Sequence, residues 1–342
     1  MQAQFYDPAG AADHQAMLNL RQTAADSGMA RADWLDLTTG INPHAWPLPP
    51  LSAASWQRLP EINDGLEAAA AAYYGNHNLL PVAGSQAAIR VLPTLMPRAV
   101  VACLSPLPAR HPQAWQSAGH RLRFLQYTQL PRALAAATPY LLFCNPHNPT
   151  GELHPRELAV DAAKQLEKRG GWLIVDESLI DPTPAASLAS LAGTPEAPNL
   201  IVFRSLSKFF GLAGARVGFV LATPEILRKM AAALGPWTIA GPAREAARLA
   251  LQDSRWQALT CDQLKLASER LQAMLAPFGE VGGGALFATL SSADNGGLQR
   301  FLARHGILTR IFESPAVLRI SPPGNEADWQ RLHNALKAWK PA

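Results

Sequence analysis

The sequence is short of cysteine, of lysine and of long apolar runs, and each shortage excludes something. Its three cysteines, Cys103, Cys144 and Cys261, are odd in number and stand at no metal-ligand spacing, so no metal site is expected. The two that fall in apolar runs read as small buried hydrophobes. No apolar run reaches the roughly 18 residues that span a bilayer. The N-terminal "MQAQFYDPAG" lacks the basic-then-apolar pattern of an export signal. A cytoplasmic protein with no membrane partner is the expectation. Charged residues make up only 16% against 48% hydrophobic, which describes neither a disordered chain nor a membrane one. The small basic excess, 30 Lys and Arg against 26 Asp and Glu, is mostly arginine scattered along the chain. A nucleic-acid binder concentrates such charge on one element. Scattered arginines suit small anions instead.

A chain of 342 residues suits one large enzyme-like domain or two closely joined ones. Near-continuous apolar runs at 99–106, 140–146, 172–178 and 200–207 have the pattern of strands covered on both faces. Between two of them, residues 155–170 open on Pro155, carry periodic apolar positions and close on Gly170, as a helix does. Residues 66–75 read as an alanine-rich helix ending at Gly75. Strand, helix, strand in alternation predicts an α/β domain with a mostly parallel sheet. From about residue 241 the pattern changes. A long amphipathic stretch, 242–275, precedes strand candidates at 285–290, 307–311 and 317–321 and a helix at 326–338. A large domain over 45–240 is expected, with a smaller α+β domain built from 1–44 and 241–342.

In open α/β sheets, ligands bind beyond the carboxyl ends of the strands, and each run here ends in a different polar cluster. Asp176 closes "IVDES"; alone it reads as a cap or turn residue, and as a buried carboxylate it needs a cationic partner. "FCNPHNPTGELH" holds two Asn-Pro pairs, more than a turn requires, and leaves the Asn148 amide available to a ligand. Gly84, Ser85 and Gln86 stand at a helix start, where free N–H groups and the helix dipole suit an anion, although capping explains most such starts. The scarcity of lysine, seven among the 30 basic residues, makes Lys208 conspicuous. It follows a buried run between Ser205, Ser207 and, eight residues on, Arg216. A partly desolvated amine there favours the neutral form and Schiff-base formation with an aldehyde. An amine, a carboxylate, an amide and a phosphate cradle together match the aldehyde, pyridinium nitrogen, phenolic oxygen and phosphate of pyridoxal 5'-phosphate (PLP).

In this order the residues resemble the fold-type I PLP enzymes of the class I/II aminotransferase group, over essentially the whole chain. The motifs are Gly84-Ser85-Gln86, Asn145-Pro146-His147-Asn148-Pro149-Thr150-Gly151, Asp176-Glu177, Ser205-Leu206-Ser207-Lys208 and Arg216. The resemblance implies an aspartate aminotransferase-like fold, with a seven-stranded sheet in the large domain, and a homodimer. It gives Lys208 the Schiff base and proton transfers, Asp176 the pyridinium nitrogen, and Asn148 the phenolic oxygen. Gly84, Ser85, Gln86, Ser205, Ser207 and Arg216 fall to the phosphate. His111 falls beside the ring or behind the aspartate, or is a solvated loop histidine. Residues 34–49, 58–61 and 79–89 resemble the branch that holds histidinol-phosphate aminotransferases and the threonine-phosphate decarboxylases of cobalamin biosynthesis, the decarboxylases in particular. In that branch Gly40 and Asn42 line the substrate pocket, Arg319 clamps a substrate carboxylate and Arg310 a substrate phosphate, tasks that suit guanidinium forks. The implied reaction is loss of CO2 from L-threonine O-3-phosphate, giving (R)-1-amino-2-propanol O-2-phosphate. A histidinol-phosphate-type transaminase and a non-catalytic PLP-binding regulator are the alternatives. The substrate bond held perpendicular to the coenzyme ring decides between CO2 loss and transamination. The chain also departs from the group. Leu179 and Leu59 stand where tyrosines are usual, Pro108 where an aromatic ring stacks on the coenzyme, and "HQA" at 14–16 where the branch often has His-Gly-Gly.

Overall fold

A computed structural model describes residues 20–136 and 138–340, and the departure at 14–16 lies outside them. The chain divides into two compact units, the larger comprising 45–148 and 153–258, the smaller 149–152, 259–342 and the segment that ends at His44. The first strand, β1 (Leu35–Asp36), belongs to the smaller unit. The next seven, β2 (Leu79–Val82), β3 (Val100–Ser105), β4 (Arg121–Gln126), β5 (Tyr140–Cys144), β6 (Trp172–Asp176), β7 (Leu200–Ser205) and β8 (Gly218–Leu221), form one sheet in the larger unit. Its order is β2-β8-β7-β6-β5-β3-β4. All neighbours are parallel except β8, which runs antiparallel to both β2 and β7.

The mostly parallel seven-stranded sheet is therefore present, and its central strands are the apolar runs of the sequence. Every residue of β5, β7 and β8 is buried, as strands covered on both faces require. The rims differ. On β2, Pro81 stands within the ladder opposite Phe219. On β4, Arg121 and Arg123 are exposed. One core cluster packs Ile89, Leu92, Trp115, Leu142, Ile174, Ile201 and Phe203. The helix Arg156–Glu167 bridges β5 and β6 and buries Ala159, Ala162, Ala163 and Leu166.

The amphipathic stretch 242–275 is two helices, Gly241–Gln252 and Ser254–Leu275. Asp253 separates them. Its carboxylate accepts the Trp256 N–H at 3.0 Å and the Trp46 Nε1–H at 3.1 Å, which caps the second helix and ends the first. The stretch 241–258, expected in the smaller domain, groups with the larger unit. Arg244 holds it there through Asp64 at 2.7 Å and Glu67 at 2.9 Å, and Gly241 lies so close to Ser55 that a Cβ would come within 2.4 Å of its carbonyl oxygen.

In the smaller unit, β9 (Glu280–Gly284), β10 (Phe287–Ser291), β12 (Arg310–Glu313) and β13 (Ala316–Ile320) form an antiparallel sheet ordered β12-β13-β10-β9. A short parallel pair joins β1 to β11 (Ile307–Leu308). Leu271, Leu275, Leu290, Leu298, Leu318, Ile320, Trp329 and Leu332 make its core.

Candidate active site

Three parallel strands, β5, β6 and β7, end side by side, because Cys144 pairs with Asp176 and Asp176 with Phe203. The polar clusters after them therefore share one edge of the sheet. Asp176 is 3% exposed. The His111 Nε2–H donates to its Oδ2 at 2.7 Å, the Ser178 N–H donates to Oδ1 at 2.9 Å, and the Ser178 hydroxyl donates to the same oxygen. An Arg110 Nη2–H reaches Oδ2 at 3.4 Å. Burial opposes ionisation of Asp176, but His111, Arg110 and Ser178 outweigh it, and the carboxyl is held well below its ordinary range. Burial also pushes the His111 imidazole below its ordinary value, against the pull of Asp176. An ionised carboxylate only accepts hydrogen bonds, so Nε2 of His111 carries the proton. His111 is thus a buried helix residue bonded to Asp176, and no solvated loop residue.

Cys144 lies in the same pocket, within 4.8 Å of the ligand atoms of His111 and Asp176. Burial first, then the Asp176 charge, pushes its thiol well above the usual range.

The second cluster is set by sheet register. Val82 of β2 pairs with Gly218 of β8, and Gly218 with Ser205 of β7. The turn after β2 therefore meets the turn after β7. Gly84 has φ +71°, and the helix Ser85–Leu95 starts directly after it. A Cβ on Gly84 would fall 2.6 Å from Nη2 of Arg216, so the guanidinium lies against this glycine. The Ser205 hydroxyl donates to Ser207 Oγ at 3.0 Å and accepts the Ser207 N–H at 3.2 Å. Lys208 follows, half-buried in the turn. Gly84, Ser85, Ser205, Ser207 and Arg216 thus come together. Gln86 is the second residue of the same helix, half-buried. Helix N–H groups, two hydroxyls and a guanidinium are a donor set that suits a phosphate.

The loop after β5 is fixed from beneath. The Asn145 N–H donates to the Asp176 carbonyl at 2.9 Å, and Asn145 Oδ1 accepts the His154 N–H at 3.0 Å. Tyr127 stacks on His154 at 4.0 Å and leans on His147 at 4.5 Å. Asn148 is half-buried in the turn this loop makes. Of the departures, Leu179 is half-buried after Ser178, Leu59 is 65% exposed, and the Pro108 carbonyl accepts the His111 N–H at 3.0 Å.

Within the smaller unit, Arg310 of β12 is directly opposite Arg319 of β13. Like charges in that relation repel, and two guanidinium groups so placed suit an anion. Arg319 is 4% exposed, donates from Nη2 to the Thr38 carbonyl at 2.6 Å and lies 5.0 Å over the Phe287 ring. The Gly40 N–H donates to Ser321 Oγ at 2.8 Å, and a Cβ at Gly40, φ +62°, would come within 3.3 Å of Phe287. Asn42 is 2% exposed and its Oδ1 accepts the His44 N–H at 2.9 Å.

Arg110 and Ser178 were not singled out in the sequence. Ser178 stood in plain view at the second position after Asp176, where a short hydroxyl can turn back on the carboxylate. Arg110 had no signal beyond lying next to His111.

The chain belongs to the aminotransferase class I and II family, whose model matches residues 51–336. Among curated proteins it is 47% identical to a threonine-phosphate decarboxylase of Pseudomonas aeruginosa, over 94% of this chain and 96% of that one. It is 38% identical to a threonine-phosphate decarboxylase of a Sinorhizobium species, over 93% and 96%. Among solved structures, a Sinorhizobium meliloti histidinol-phosphate aminotransferase in complex with pyridoxal-5'-phosphate superposes with a TM-score of 0.83 at 21% identity, covering 98% of this chain and 97% of that one. That likeness carries the fold.

Proposed function

We propose that the chain is a PLP-dependent lyase that decarboxylates L-threonine O-3-phosphate to (R)-1-amino-2-propanol O-2-phosphate in cobalamin (vitamin B12) biosynthesis. The observation that carries this is the whole-chain likeness to two curated threonine-phosphate decarboxylases, the nearer at 47% identity. The buried, ionised Asp176 and the donor set around Gly84 support PLP as the coenzyme. When bound, PLP supplies an electron sink for the pair released as a bond to the substrate's α-carbon breaks. The chain's residues do the rest. Asp176, held anionic by His111 and Ser178, keeps the ring nitrogen protonated. Ser85, Gln86, Ser205, Ser207 and Arg216 hold the phosphate, and Asn148 the phenolic oxygen. Lys208 anchors the coenzyme and returns a proton to the α-carbon. Arg319 grips the substrate carboxylate and Arg310 its phosphate, with Gly40 and Asn42 shaping the pocket wall.

A cytoplasmic homodimer completes the proposal. No helix among the described residues is long and apolar enough to cross a membrane. Leu59, Trp56 and Ile62 are exposed, at 65%, 71% and 77%, a concentration of apolar surface that suits a second copy. The test is product analysis of the purified protein with PLP and phosphothreonine. Release of CO2 without build-up of pyridoxamine phosphate is expected. Pyridoxamine phosphate without CO2 would assign the chain to transamination.

A further inference from the structure

Arg204 lies at the end of β7, 3% exposed, with two carboxylates against it. Its Nη1 donates to Glu177 Oε2 at 3.2 Å and to Ser187 Oγ at 2.7 Å, and its Nη2 donates to Asp181 Oδ1. Glu177, fully buried, also accepts the Leu188 N–H at 2.7 Å and the Ser187 hydroxyl at 2.5 Å. Asp181 accepts the Tyr73 hydroxyl at 2.9 Å, and the Tyr74 ring lies 4.7 Å from the guanidinium carbon. A buried cluster of this kind is a poor way to gain stability, because well-packed apolar groups of the same volume do as well or better. Its value has to be sought in position.

The position is specific. Glu177 directly follows Asp176, and Arg204 directly precedes Ser205. The Glu177 N–H donates to the Phe203 carbonyl at 2.9 Å, so the strand pairing continues to this level. Successive side chains on a strand point to opposite faces. Asp176 and Ser205 therefore face one way, and Glu177 and Arg204 the other, beneath them. The ion cluster ties the two strand ends together from the side away from the coenzyme residues. It leaves the segment carrying Asp176 and the turn carrying Ser205, Ser207 and Lys208 little freedom to slide past one another.

We propose that Arg204, with Glu177 and Asp181, is a positioning group that sets the spacing between Asp176 and the Ser205–Lys208 turn. The inference rests on the coenzyme assignment given above, and the experiment separates the two. Arg204→Lys keeps the charge but cannot span both carboxylates. Glu177→Gln is a second, milder variant should the first fail to fold. Arg244→Lys serves as control, since Arg244 also pairs with two carboxylates, Asp64 and Glu67, but lies on the helix Gly241–Gln252, away from the strand ends.

The readouts are the PLP dissociation constant, the visible absorption band of the coenzyme-loaded protein, borohydride labelling of Lys208 and thermal unfolding. Expected for Arg204→Lys is an at least tenfold weaker PLP affinity and a displaced band, with Glu177→Gln shifted the same way by less. Arg244→Lys should change only the unfolding temperature. The inference is overturned if the Arg204 and Glu177 variants lower the unfolding temperature while affinity and band match wild type. Wild-type protein that takes up no label at Lys208 would instead overturn the coenzyme assignment.

Discussion

Replacing Gly218 with alanine tests the architecture of the proposed phosphate cradle. A Cβ there would lie 2.6 Å from the Ser85 nitrogen, 2.8 Å from the Arg204 carbonyl oxygen and 3.0 Å from the Gly84 carbonyl carbon. Comfortable contacts begin near about 3.5 Å. All three neighbours are backbone, so no side chain can swing aside. Overpacking of this kind costs about 1–3 kcal/mol. The β7 neighbour is locked into the sheet centre, so the Gly84–Ser85 turn should give way and carry the helix start with it. Losing one charge-assisted hydrogen bond to phosphate costs about 1.5–3 kcal/mol, which corresponds to roughly 10- to 150-fold in PLP affinity. Urea unfolding and a PLP titration followed by absorbance would measure both effects. Gly214→Ala is the comparison, since its Cβ would meet nothing within 4 Å and should change stability by less than about 0.5 kcal/mol. A Gly218→Ala protein with wild-type stability and PLP affinity within twofold would refute the argument.

Arg319→Lys should raise the KM for phosphothreonine by roughly 10- to 150-fold, the effect of losing one charge-assisted bond of about 1.5–3 kcal/mol, while PLP affinity stays at the wild-type value; an unchanged KM counts against the carboxylate clamp. Stability should also fall on mild acidification. Burial pushes His147 and His154 down from 6.5 to about 4, so both stay neutral in the fold while the unfolded chain takes up protons. The unfolded state therefore binds more protons between those values, and the unfolding free energy should decline as pH drops through that window. His154→Phe, which keeps a ring on Tyr127, should flatten the decline in urea midpoints measured across it, and an equally steep profile would contradict the assignment.

How far the sequence disclosed this molecule depended on what each element had to do. The central strands β3, β5, β6 and β7 were legible because burial on both faces demands an unbroken apolar run. β4 was not, since "RLRFLQ" mixes charge with apolar positions as an edge permits, and β2 carries a proline that argues against a strand unless it lies at a rim. β9 was hidden by glycine: Gly283 faces Phe287 and Ala288 so closely that a Cβ would come within 2.4 Å of a carbonyl oxygen. At the helix break, the Asp253 carboxylate caps the Trp256 N–H locally and also takes a tertiary partner, Trp46, over two hundred residues away. Lys208, Asp176 and Arg216 could be singled out because their types and spacing are chemically restrictive. The groups beneath them could not. Arg204 within an apolar run reads only as the end of a strand until its carboxylates are seen.

The two rims of the large sheet carry a further consequence. Pro81 has no N–H to offer a foreign strand, and Arg121 and Arg123 on the opposite rim would bring charge against charge if two copies met edge to edge. The same few residues that made these strands hard to recognise keep so apolar a sheet from acting as a template for aggregation.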